Sequence, residues 1–307
     1  MKRVLVTGAA GSIGLCVIKY LLSEGKYTIT ALDLKNKKNI KKLKKYNQRI
    51  NVIYGDVTDY LLMEALVKTH DVVIHLASVL PPFSEFGKNI SEIIEYNGTE
   101  NIIKAINYYN ENCYLIYAST TSMYDSSLSG SVKEVIQEQQ LSNFSLNKFK
   151  TENLIKQKLK HYTILRLPLI LNGIIDEPFI FNVKKNLLVE VSTKEEAAYA
   201  FVKAISCEKE LNKKTYNVGM GQNGRIIYND LLKRILKYQG ISFRYILSRL
   251  FLEKKYYSPV LSDSDKLELI IHYRYDNLDN YYKRLKNKGN KYKIRKALAK
   301  PILLLKK

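Results

Sequence analysis

Long apolar runs are missing from this 307-residue chain, and so is any dense pattern of cysteine. No stretch approaches the roughly 18 uninterrupted apolar residues that a membrane span requires. The first strand pattern begins at Arg3 and leaves no room for a signal peptide ahead of it, so a cytoplasmic location is expected. Cys16, Cys113 and Cys207 stand far apart, with no CxxC pair and no His/Cys cluster at metal-ligand spacing. Reduced thiols and no metal site are therefore expected. Histidine is equally sparse, and His70, His161 and His272 lack acidic partners in sequence.

Acidic residues are also scarce: 29 Asp and Glu face 50 Lys and Arg, a formal net charge of +21. Such an excess can mark a polyanionic partner. One basic cluster runs through Lys35, Lys37, Lys38, Lys41, Lys42, Lys44 and Lys45; a second spans Lys283–Lys307. Neither carries a zinc-finger or RNA-recognition signature, and the 24 tyrosines are scattered instead of interleaved with one basic stripe. The charge reads as solvated surface with no specific nucleic-acid partner. The tail 291–307 mixes basic and apolar residues, as a frayed terminal helix would, or a segment making weak contact with an anionic membrane surface.

What is present is a 46% hydrophobic composition, enough for a full core and roughly two domains. Seven β-rich runs alternate with helical patterns: 3–7, 27–33, 51–56, 71–78, 113–119, 162–167 and 215–219. Helices are expected from Ile13 to about Gly25 and over 59–68, 91–108, 143–160 and 194–206. This alternation predicts βαβ units and a doubly wound parallel sheet. From Pro168 onward it loosens, with turn signals at 171–173, 176–178 and Asn223-Gly224. The expected division is a dinucleotide-binding domain over 1–167, to which 191–219 returns, a smaller substrate domain over 168–190 and 220–290, and the basic tail 291–307.

The residues Gly8-Ala9-Ala10-Gly11-Ser12-Ile13-Gly14 follow a strand and open a helix, and Asp33 ends the next strand nineteen residues beyond Gly14. In that context Gly8 permits a tight turn, Gly11 lets main chain approach a pyrophosphate, and Gly14 allows close packing of helix on sheet. The helix N-terminus, with Ala10, Ser12 and Ile13, supplies N–H groups for the anion. Asp33 suits the ribose hydroxyls of NAD and repels a 2′-phosphate. The lysines at 35, 37 and 38 could neutralise such a phosphate, which leaves NADP open, or form a solvated loop.

These residues resemble the extended short-chain dehydrogenase/reductases, the NAD-dependent epimerase/dehydratase family. Thr7 to Gly14 is similar to its TGxxGxxG, Gly55-Asp56-Val57-Thr58-Asp59 to GDxxD and His75-Leu76-Ala77-Ser78 to HLAA. Gly98-Thr99-Glu100-Asn101 resembles GTxN, Ala118 to Tyr124 resembles SSxxVY, and Arg166-Leu167-Pro168 resembles RPP. The resemblance implies a Rossmann-type domain with a smaller C-terminal substrate-binding domain, a homodimer, and cofactor contacts from Asp56, Val57, Leu76 and Ala77. It also implies a nucleotide-sugar substrate and a role in polysaccharide biosynthesis. Thr120 takes the family's hydroxyl position, hydrogen-bonding the substrate oxygen. Lys148 takes the lysine position, which also serves the nicotinamide ribose.

Phe144 stands four residues before Lys148, where the family has tyrosine. A phenol there would share the lysine's helical face, and the cation would ready it for proton transfer. Phenylalanine cannot transfer a proton. Thr120, Ser122 and Tyr124 are alternative hydroxyls, although Tyr124 matches a family tyrosine of structural type. Glu95 stands where the family has Asn, three before Gly-Thr, and Leu169 where 4-epimerases carry Asn. Arg225, Arg234 and Arg244 could hold a diphosphate or lie on the surface. Two readings follow: an NAD(P)-dependent epimerase, dehydratase or reductase acting on a nucleotide-linked sugar, or a weak or inactive dinucleotide-binding pseudoenzyme that supports a partner.

Overall fold

The computed structural model describes residues 1–81, 83–85, 88–124, 141–172, 186–239 and 260–286. The first half runs β1 (Lys2–Thr7), α1 (Ser12–Glu24), β2 (Tyr27–Asp33), α2 (Lys37–Leu43), β3 (Asn51–Tyr54), α3 (Tyr60–Val67), β4 (Val72–His75), α4 (Lys88–Glu92), a π-helical turn (Ile93–Asn97), α5 (Gly98–Tyr109) and β5 (Tyr114–Thr120). The second half runs α6 (Asn143–Lys158), β6 (Tyr162–Leu167), β7 (Leu169–Leu171), β8 (Leu188–Thr193), α7 (Lys194–Ser206), α8 (Glu208–Leu211), β9 (Lys214–Asn217), β10 (Arg225–Ile227), α9 (Tyr228–Gln239) and α10 (Ser264–Ile271).

Strand residues alternate between two faces, and here both faces are apolar. Val4 and Val6 of β1 enter one core while Leu5 enters the other; Val72 and Ile74 of β4 oppose Val73 in the same way. Burial on both sides is what a parallel sheet demands. The seven strands pair in parallel in the order β3-β2-β1-β4-β5-β6-β9. Helix α1 buries Val17, Ile18 and Leu21 and stops at Gly25, whose φ of 65° is left-handed. It packs with α7, whose Phe201, Val202 and Ile205 join the same core. Helices α3, α5 and α6 cover the other face through Met63, Leu66, Ile102, Ile106, Leu154 and Ile155. Side-chain caps set three of these starts: Asp59 accepts from Leu62 N (3.1 Å), Ser142 from Ser145 N (3.2 Å) and Thr193 from Glu196 N (3.2 Å).

A second sheet, in the order β10-β8-β7, packs with α9 around Leu171, Val189, Val191, Leu231 and Ile235. None of its short strands was expected from the sequence pattern. Residues 191–193 lie in this sheet, so the chain returns to the large sheet at α7 and not at 191. Part of the 220–290 stretch also belongs to the large core: Leu267 and Ile271 of α10 and Tyr273 are buried there. The expected helix 91–108 is three pieces, interrupted by the π turn. Of the lysines after β2, left open between a phosphate contact and a solvated loop, Lys37 and Lys38 begin helix α2, capped by Asn36, whose side chain accepts from Asn39 N at 2.9 Å. Strands β3 and β4 are shorter than their apolar runs. The turn at 176–178, Arg244 and the tail 291–307 lie outside the described residues. No helix of the described residues is long and apolar enough to cross a membrane.

Candidate functional site

The order of the sheet reverses between β1 and β4, and such a reversal opens a crevice at the carboxyl ends of the strands. A cavity of about 500 Å³ occupies it. Its floor is the glycine turn, with Gly8, Ala10, Gly11, Ser12, Ile13 and Gly14 all lining it. Gly8 has φ 66°, and a Cβ there would stand 2.7 Å from Ala77 N; a Cβ at Gly14 would stand 2.4 Å from Gly8 O. Both positions therefore admit only glycine without movement of backbone. Helix α1 has neither a side-chain cap nor an acid in its first turn, so among the described residues its first amides are left for an anion. This bare, positive cradle fits a pyrophosphate.

Asp33 lies at one end of the cavity with its carboxylate held on three sides. Oδ2 accepts from Ala10 N (2.7 Å), and Oδ1 accepts from Leu34 N and Asn39 Nδ2 (both 2.8 Å). Lys42 donates to Ala10 O at 2.6 Å, which ties α2 to the glycine turn. Lys38, Asn39 and Lys42 line the cavity beside Asp33, so α2 forms a wall that the sequence did not disclose. Asp56 and Val57 line the next stretch. Their loop is fixed by Asn101, which donates to Val57 O (3.2 Å) and Thr58 O (2.9 Å).

Leu76 and Ala77 line the cavity above a buried polar row. Thr7 Oγ1 accepts from Leu76 N and Ala77 N (both 3.2 Å), so its own proton goes to His75 Nδ1 at 2.6 Å. His75 Nε2 then donates to Thr99 Oγ1 (3.0 Å), which donates to Glu95 O (2.6 Å). Burial, with a smaller push from Lys148, holds the imidazole down to about 3 and keeps it neutral, as this row requires. His75 thus serves the fold. His161, with no acid near it in sequence, meets Glu208 at 3.3 Å in space.

Thr120, Phe144 and Lys148 line the far end of the same cavity. Thr120 Oγ1 lies 2.8 Å from Ser122 Oγ, which is 2.9 Å from Ser145 Oγ. The Lys148 ammonium donates to Ala118 O (2.9 Å) and pairs with Glu95 Oε2 (2.7 Å), and both charged side chains are buried. The Phe144 ring centre lies 5.9 Å from Lys148 Nζ. Ser78, also lining the cavity, donates to Glu95 Oε1, as does Val79 N at 3.0 Å. The Ser78–Glu95–Lys148 connection was not visible in the sequence, where Glu95 stood out as a departure and Ser78 only closed the run similar to HLAA.

Tyr124 sits in a separate buried network. Its hydroxyl donates to Asn217 Oδ1 (2.7 Å) and accepts from Arg166 Nη1 (2.8 Å), while Arg166 grips Glu152 through Nε (2.8 Å) and Nη2 (2.7 Å). Arg225 is committed to Glu190 (3.2 Å) and Leu261 O (3.1 Å), and Arg234 lies over the Tyr282 ring, so neither reaches the cavity as a diphosphate ligand.

A doubly wound sheet with a glycine turn and a hydroxyl–lysine end around one crevice defines the Rossmann class. Residues 5–159 match the 3-beta hydroxysteroid dehydrogenase/isomerase family, and the chain belongs to that family within the extended short-chain dehydrogenase/reductases. It is 36% identical over 125 residues to UDP-N-acetyl-alpha-D-glucosaminuronate decarboxylase of Bacillus cytotoxicus, covering 40% of this chain and 38% of that protein. It is 27% identical over 127 residues to CDP-paratose 2-epimerase of Salmonella typhi, covering 40% and 38%. The matches thus span well under half the length of these two relatives. Among solved structures, UDP-glucuronic acid 4-epimerase from Bacillus cereus, in complex with UDP-glucuronic acid and NAD, superposes with a TM-score of 0.74 at 20% identity, over 93% of this chain and 99% of that one. That likeness establishes the shared fold.

Proposed function

We propose that this chain is an NAD-dependent epimerase, dehydratase or reductase acting on a nucleotide-linked sugar. The observation that carries the reading is one continuous cavity joining the glycine cradle, Asp33, Thr120 and Lys148. The relatives named above support it, since they act on nucleotide sugars and the solved one holds NAD. When bound, the dinucleotide supplies an acceptor or donor of hydride. The chain's own groups bind and orient: the α1 N-terminus holds the pyrophosphate, and Asp33 receives ribose hydroxyls. Lys148, bonded to Ala118 O and paired with Glu95, lines the cavity where it can also serve a ribose hydroxyl. Thr120 takes the substrate oxygen, and Leu167, Leu169 and Val189 give an apolar wall that excludes water.

The test is to denature the purified protein, identify any released dinucleotide, and then measure turnover and isotope exchange across a panel of nucleotide sugars with NAD and NADP. Tightly held NAD with turnover supports the reading; absence of turnover and exchange across the panel refutes it. Phe144 favours a second reading, a dinucleotide-binding pseudoenzyme that supports a partner. An inactive parent that gains activity in Phe144→Tyr supports this alternative, and high activity in the parent removes it.

A further inference from the structure

We infer that Ser78 and Glu95 form a proton relay that takes over the work a tyrosine at position 144 would do, with Ser78 as the catalytic group and Glu95 and Lys148 as its positioning residues. The inference rests on the function proposed above.

Three departures from family motifs converge on one point. Phe144 removes the phenol, Glu95 introduces a carboxylate in place of an amide, and Ser78 introduces a hydroxyl in place of a methyl. The structure links the last two directly, since Ser78 Oγ donates to Glu95 Oε1. The other carboxylate oxygen meets Lys148 Nζ at 2.7 Å. Glu95 itself is fully buried and is joined to the cavity through neighbours that line it, among them Ser78, Val79 and Lys148. A carboxylate out of water must be paired and hydrogen-bonded to remain charged. Here Ser78, Val79 N and Lys148 provide that. The π turn carries Glu95, and an inserted residue of this kind displaces a side chain from the regular helical stripe.

In the oxidative direction a substrate carbinol loses its C–H bonding pair as hydride to the oxidised nicotinamide dinucleotide, the oxidant of the proposed reaction. Its O–H proton passes to Ser78 Oγ while the Ser78 proton passes to Glu95 Oε1. A carbonyl, the reduced dinucleotide and a protonated Glu95 result. Reversal of the same steps returns the proton. Lys148 lies against the carboxylate oxygen opposite the one that takes the proton. A counter-ion role for Glu95 alone would need no hydroxyl at 78.

Ser78→Ala is the decisive variant, because it leaves the Glu95–Lys148 pair intact, whereas Glu95→Gln strips a buried ammonium of its partner. Loss of acid/base catalysis typically costs about 10² to 10⁴ in rate, so kcat of Ser78→Ala is expected to fall by about that factor. KM and the dinucleotide Kd, titrated by quenching of protein fluorescence, should stay within about threefold. Adding Phe144→Tyr to Ser78→Ala should recover at least about tenfold in kcat, a rescue that a packing role for Ser78 would not allow. An active parent whose Ser78→Ala variant keeps kcat within about threefold overturns the relay alone, as does failure of the rescue. A parent that binds dinucleotide but turns over no sugar overturns the relay together with the function beneath it.

Discussion

Removing the Arg166 guanidinium should unfasten the helix that carries Phe144 and Lys148. Glu152 of α6 is fully buried and Arg166 of β6 is 5% exposed. The guanidinium makes two contacts to the carboxylate at 2.8 and 2.7 Å, and Ser119 Oγ (2.6 Å) and Lys156 Nζ (3.0 Å) complete its shell. Breaking such a pair from one side costs about 3–5 kcal/mol, because a desolvated charge is left behind. At about 2–4 °C per kcal/mol for a chain of this order, Arg166→Met should lower Tm by roughly 6–20 °C. Urea unfolding of Arg166→Met, Glu152→Gln and the double variant closes a cycle. Because each single change strands the other member of the pair and the double variant strands neither, the double variant should lose at least about 2 kcal/mol less than the two singles added together. Burial pushes the Glu152 carboxyl up, but Arg166, with smaller help from Lys156 and Ser119, reverses this and holds it below its usual range. Its contribution is therefore present at neutral pH and lost as pH falls through that lowered value. Singles that cost under about 1 kcal/mol, or a strictly additive double, would refute the account.

Three further outcomes are expected. Gly14→Ala places a Cβ 2.4 Å from Gly8 O and 2.8 Å from Ala9 Cα, both backbone, so stability should drop by about 1–3 kcal/mol and dinucleotide titration should weaken; unchanged values would discard the close-packing role. Burial, partly offset by the amides of Asp276 and Tyr275, raises Glu196 to about 7. Since the unfolded carboxyl titrates lower, the stability this group contributes is full at acid pH and lost as pH rises through about 7, so Glu196→Gln should flatten that decline in urea midpoints measured from pH 5 to 8, and an equally steep decline would contradict it. Burial pushes the Cys113 thiol up to about 12, whereas Cys16 and Cys207 are only partly buried. A disulfide reagent should label Cys16 and Cys207 in the native protein and reach Cys113 only on unfolding; early labelling of Cys113 would show that its packing is looser than described.

Much of the sheet was legible because its signals are local. The Val4-Leu5-Val6 run, the glycine turn and Asp33 lie within one βαβ stretch, where backbone sterics and burial act over a few residues. The small sheet was not, since β7 and β10 have three residues each and too few side chains to show a period. Helix α2 did carry a signal, Asn36 as cap with Ile40 and Leu43 three apart, but its lysines masked it. The pairing of Glu95 with Lys148 joins the π turn to α6 across a long stretch of sequence, and only the packing of those two elements reveals it. Glu95 and Lys148 were each visible in the sequence; their pairing was not.

The late return of α7 and β9 to the large sheet bears on how the chain is made. The apolar stripe of α1 is covered by α7, and β6 gains its outer neighbour only at β9. Between Glu24 and Ser206 the ribosome must add 182 residues (206 minus 24), which at about 5–20 residues per second takes roughly 10 to 35 seconds. During that interval the part of α1 that α7 covers stays open, and β6, once made, is an open edge until β9 follows it. The nascent chain is thus most exposed to misassociation while the very turn that cradles the pyrophosphate is already complete.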